Sequence, residues 1–111
     1  MCLDTITKEF EDKEGEGYKV LYRYTLRTIN QAFPLRKKIW NRATLKVPFR
    51  TNDDWYMSGF HILTSLKSAR EWKRKYGGRI VKVKYRKGRI LGKQDGMNII
   101  VADEMKLLEE I

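Results

Sequence analysis

The sequence predicts an α+β domain: an antiparallel or mixed sheet of about five or six strands packed on one main helix. Three observations carry that expectation. Several short segments alternate apolar and polar residues, the period of a half-buried strand. One segment, Leu66 to Tyr76, repeats apolar residues every three or four positions. A chain of 111 residues with 41% hydrophobic content suits a single domain with a single core.

Residues 1–17 are acidic and close in Gly15-Glu16-Gly17, so they read as a flexible lead-in to one basic domain spanning 18–111. Tyr18, Val20, Tyr22 and Tyr24 share one face of a first strand. From Thr25 to Arg50, Pro34 and Pro48 interrupt the pattern, leaving one expected strand near Ile39 to Val47. Thr51-Asn52-Asp53-Asp54 is turn chemistry, and a loop carrying Trp55 and Tyr56 follows. Gly59 to Leu63 reads as a short strand.

Ser65 is placed to cap a helix whose stripe is Leu66, Ala69, Trp72 and Tyr76, and Gly77-Gly78 ends it, because glycine accepts a left-handed backbone. Arg79 to Arg86 alternates Val81, Val83 and Tyr85 with Lys82, Lys84 and Arg86, a strand with a basic exterior. Lys87-Gly88 reads as a turn back to Arg89–Leu91, and Gln94-Asp95-Gly96 as a second turn into Asn98–Ala102. Over Asp103 to Ile111 the alternation of Met105 and Leu107 with Glu104 and Lys106 favours a strand, although Leu107, Leu108 and Ile111 also suit helical spacing. The expected core is Val20, Leu66, Ala69, Trp72, Val81, Val83, Ile99 and Val101.

Composition narrows the function. No apolar run approaches the roughly 20 residues of a membrane helix, and Met1-Cys2-Leu3-Asp4-Thr5 lacks the features of a secretory signal, so a cytoplasmic protein with no membrane partner is expected. Cys2 is the only cysteine and His61 the only histidine, which leaves no N/S ligand set for a metal. No nucleophile elbow and no phosphate-cradling glycine loop is present.

The net charge of +10 is concentrated: residues 34–93 carry eighteen Lys/Arg against three Asp/Glu. Lys67, Arg70, Lys73, Arg74 and Lys75 on the helix are followed by Arg79, Lys82, Lys84, Arg86, Lys87 and Arg89. Such a block attracts nucleic acid or an acidic protein surface, with Trp55 and Tyr56 available to stack on bases. The alternative for the charge is a solvated surface, and for the two aromatics it is packing. The expected function is therefore a small non-enzymatic binding protein with no cofactor.

Two resemblances bear on this reading. Gly17-Tyr18-Lys19-Val20, Ser58-Gly59-Phe60-His61-Ile62, Val81 to Arg86 and Val101-Ala102-Asp103-Glu104-Met105 resemble a family of short uncharacterised phage and prophage proteins. That resemblance implies a phage-type accessory protein acting in the host cell, inhibitors of host defence being one such class. The order of parts also resembles the ADP-ribosyltransferase core: Arg23 or Tyr22 on a first strand, Phe60-His61 on a second, the helix at Ser65 to Ala69, and Glu104 opening a last strand. It implies, as the alternative, an enzyme in which Arg23 and His61 hold NAD and Glu104 stabilises an oxocarbenium ion. The chain departs from that pattern in having no Ser-Thr-Ser, and no Glu-x-Glu at Glu104 where the last strand opens.

Overall fold

The computed structural model describes residues 3–21, 39–43, 48–52 and 54–111. In chain order its elements are β1 (Thr5–Leu21), β2 (Trp40–Arg42), β3 (Pro48–Arg50), β4 (Trp55–Met57), β5 (Phe60–Leu63), α1 (Leu66–Tyr76), β6 (Arg79–Gln94) and β7 (Met97–Glu110). Of the described residues 69% lie in strands and 13% in the helix, so the fold is mainly β and antiparallel, which overturns the α+β expectation. The expectation failed because three strands of 17, 16 and 14 residues absorb segments that composition assigns to lead-in and turns. Mean strands are nearer five or six residues, so a charged or glycine-bearing stretch is easily taken for a strand's end.

β6 is hydrogen-bonded along both edges, to β1 from Thr5↔Lys93 to Leu21↔Arg79 and to β7 from Gln94↔Met97 to Val81↔Glu110. β7 in turn pairs with β5 over Ile99–Ala102 and with β2 over Glu104–Lys106. β5 meets β1 at Tyr18↔Leu63, so the ladder β1–β6–β7–β5 returns to β1. β3 and β4 form a separate hairpin. At the β6–β7 turn Asp95 and Gly96 take φ of 50° and 77°, the paired positive dihedrals of a two-residue type I′ turn.

Thr5 to Gly17 is thus strand rather than lead-in. Its acidic residues sit on exposed positions of β1, where Glu16 pairs with Lys82 at 3.4 Å. Lys87-Gly88 is not a turn: Lys87 has φ 57° and the β6–β7 register slips between Gly88 and Ile90, the signature of a bulge within one continuous strand. Trp55 and Tyr56 lie in β4, not in a loop. Tyr22, Tyr24 and most of 25–50 fall outside the described residues.

The sheet is buried on both faces. One cluster joins Val20, Leu63, Ile80, Ile90, Ile99 and Val101 to Tyr56 of the hairpin and to Ala69 and Trp72 of α1. The other joins Leu21, Phe60, Ile62, Val81, Val83, Tyr85, Met105 and Leu107. The helix begins where Ser65 Oγ accepts the Ser68 N–H at 3.1 Å and ends where Gly77 (φ 76°) donates its N–H to the Lys73 carbonyl at 2.7 Å. It covers one cluster with two buried side chains, Ala69 and Trp72, and does not form a second layer. Tyr76, expected in the stripe, is 52% exposed, its ring packed on Trp72 and its hydroxyl donating to Asp95 Oδ2 at 3.0 Å. No helix of the described residues is long and apolar enough to cross a membrane.

The β1–β5 closure depends on Gly17, where a Cβ would stand 2.5 Å from Ile62 Cγ2 and 2.7 Å from the Leu63 carbonyl oxygen. Backbone cannot yield as a side chain can, so Gly17→Ala should destabilise the fold by about 1–3 kcal/mol. Urea denaturation checks this. A loss within experimental error of zero would show that β1 and β5 do not approach so closely.

Candidate functional site

Sequence reasoning placed a possible reactive histidine on β5, and the structure shows what His61 does. Its ring is buried between the β3–β4 hairpin and the sheet, 6.2 Å from Phe49 and 5.8 Å from Tyr56 between ring centres. Nδ1 lies 3.1 Å from the Gly59 carbonyl, which can only accept, so Nδ1 carries the proton and Nε2 accepts from the Tyr56 hydroxyl at 2.9 Å. The same hydroxyl accepts the Leu3 N–H at 2.8 Å. Burial, reinforced by the nearby Lys19 cation, pulls His61 down to about 3, so the ring is neutral and structural at ordinary pH. Lys19 donates to the His61 carbonyl at 2.7 Å, and its own burial pulls the amine down to about 7.

Glu104 has a different surrounding. Its carboxylate is 4% exposed yet meets three cations: Arg86 in a forked contact of 2.8 and 3.2 Å, Lys87 at 3.5 Å and Arg42 at 3.8 Å. The Arg86 hydrogen bonds hold its carboxyl below the usual range, against the opposing effect of burial. Among the described residues His61 and Glu104 share no hydrogen-bonding partner, and Arg23 and Cys2 lie outside those residues.

Strand register makes Glu104 the centre of an ordered surface. Arg86, Glu104 and Arg42 stand side by side across β6, β7 and β2, and Lys84, Lys106 and Trp40 form the adjacent row. Directly opposed residues share a face of the sheet. Arg86 stacks 4.0 Å above the Trp40 ring, with the Lys106 ammonium 5.8 Å from it. Trp40, Arg42 and Lys106 were not singled out from sequence, because their approach to Lys84 and Arg86 depends on pairings between strands far apart in the chain. The alternation of Lys106 with Met105 and Leu107 was the one local signal.

The predicted basic set divides into two groups. On β6, Arg79 pairs with Glu110 at 3.2 Å, Lys82 with Glu16, Arg86 and Lys87 with Glu104, and Arg89 with Asp103 at 3.0 Å. Lys67, Arg70, Lys73, Arg74 and Lys75 on α1 are exposed, as is Lys84, and none has an ion pair among the described residues. Lys67, Arg70 and Arg74 lie on the side of α1 opposite Ala69 and Trp72, as helical spacing requires. Trp55 is 59% exposed, whereas Tyr56 is buried and committed to His61, which removes it as a stacking surface. No group of three or more His, Cys, Asp or Glu that could hold a metal occurs among the described residues.

The two buried bases contribute to the pH dependence of stability. Each binds its proton more weakly folded than unfolded, so the unfolded chain holds more protons and stability rises with pH through both windows. For His61 the window runs from about 3 to 6.5 and for Lys19 from about 7 to 10.5. One proton corresponds to about 1.4 kcal/mol per pH unit. Lys19→Met should therefore stabilise the protein most at pH 7 and below, with the gain shrinking as pH rises toward 10. Denaturant titrations of both proteins across this range test it; a variant that is weaker at every pH, with an unchanged slope, would overturn the assignment.

Comparison with family models, with curated proteins and with solved structures finds no match to this chain.

Proposed function

We propose that this protein is a non-enzymatic nucleic-acid-binding module that holds the phosphate backbone on the β6–β7–β2 face. The observation that carries the reading is the placement of Lys84 directly opposite Lys106, beside Trp40 and Arg42. Like charges directly opposed on a sheet cost stability, and Glu16, which faces Lys84 from β1, is ion-paired with Lys82, so the Lys84–Lys106 pair suits an anion that neutralises both. Buried Glu104 organises the neighbouring Arg42, Arg86 and Lys87 while cancelling only part of their charge. The cations of α1, unpaired among the described residues, add a long-range attraction. Contacts of this kind recognise charge spacing rather than base sequence.

Fluorescence anisotropy with short DNA and RNA over a salt series tests the reading, because each neutralised phosphate adds close to one to the slope of log affinity against log salt. Lys84→Glu combined with Lys106→Glu should lower affinity at least ten-fold and flatten that slope by about two. Arg70→Glu with Arg74→Glu should lower affinity less. Absence of binding at low salt, or binding indifferent to the Lys84/Lys106 change, would sink the proposal and direct the search to an acidic protein partner.

A further inference from the structure

A groove of about 580 Å³ opens between Glu9–Glu11 of β1, Trp55–Met57 of β4, and Arg89 and Ile90 of β6. That size falls within the roughly 300–1,000 Å³ of small-ligand sites. Its chemistry is unusual for a surface: Trp55 and Met57 are 59% and 43% exposed, with the Arg50 guanidinium 5.7 Å from the Trp55 ring. Across the groove Phe10 is flanked by Lys8 and Lys13 ammonium groups at 5.3 and 4.9 Å. Tyr56, locked by Leu3 and His61, and buried Ile90 supply its fixed part.

We propose that this groove takes an unstacked nucleobase against Trp55, which makes single-stranded nucleic acid the substrate class of the basic face. The inference rests on the nucleic-acid reading above and deepens it. A flat aromatic surface accepts the π-face of any base, and the surrounding Arg50, Lys8 and Lys13 suit the flanking phosphates. Glu9 and Glu11 supply acceptors for exocyclic amino groups, as carboxylates do toward cytosine. Arg89 at the groove lies roughly 10 Å along β6 from Arg86 of the basic face, across the bulge at Lys87-Gly88. In a duplex the paired, stacked bases cannot enter the groove.

Three probes of equal length separate the contributions: a single strand, its duplex, and an abasic strand that keeps the phosphates. Wild-type protein should bind the single strand at least ten-fold more tightly than the abasic one. Trp55→Ala, at an exposed site with its fold checked by thermal melting, should bring the single strand to the abasic level and leave the duplex and abasic affinities unchanged. Lys84→Glu with Lys106→Glu should weaken all three. A Trp55→Ala protein that keeps its full single-strand affinity, or a wild type that does not distinguish the single strand from the other two, overturns the groove assignment while the basic face stands. Loss of all binding in wild type, or indifference to the paired lysine change, overturns the nucleic-acid reading itself.

Discussion

The structure depends on β6 being paired along both of its edges. Because β1 and β7 both hydrogen-bond to it, its backbone polar groups are satisfied on both sides, and β5 links β7 back to β1 on the far side. Closure also forces apolar residues onto both faces. Ile80 and Ile90 serve one cluster while Val81, Val83 and Tyr85 serve the other. A strand so committed can expose side chains only where neither α1 nor the β3–β4 hairpin covers it, and there Lys84 and Arg86 emerge.

Glu104 shows how the fold keeps a dense cationic surface in order. Burying a carboxylate is unfavourable unless it is paired and hydrogen-bonded, and here Arg86 supplies both, aligned in turn by Trp40. The arrangement fixes guanidinium positions that would otherwise be lost to rotamer freedom. Tyr56 plays the corresponding part at the groove: its hydroxyl joins the Leu3 amide to His61, so the wall beneath Trp55 is held by the core rather than by the loop before it.

Much of the local structure was legible and the global class was not. The helix from Ser65 to Gly77, the Asp95-Gly96 turn and the inward set Val81, Val83 and Tyr85 follow from capping, turn chemistry and period two, all of them local. The length of β1 was hidden because Glu9 to Glu16 carry exposed charge that composition equates with a mobile terminus. The continuity of β6 was hidden by Lys87-Gly88, since a bulge and a turn share the same residues. The basic block was visible in sequence, but which of its members are spent on Glu16, Asp103, Glu104 and Glu110 is a matter of strand register. Trp40 and Arg42 join the face through β7, and nothing in their immediate neighbours announces it.

The pairing of β1 with β6 has a consequence for how the chain acquires its fold. Leu21 and Arg79 become neighbours only after the whole intervening segment has been made, and at typical ribosomal rates of about 5–20 residues per second that interval lasts several seconds. The β6–β7 hairpin joins neighbouring segments of the chain, whereas β1 has no β6 to pair with until residues 79–94 have been made. The acidic residues of β1 then act as gatekeepers: mutual repulsion discourages two nascent chains from zipping together, and the same charges favour docking onto basic β6 once it emerges.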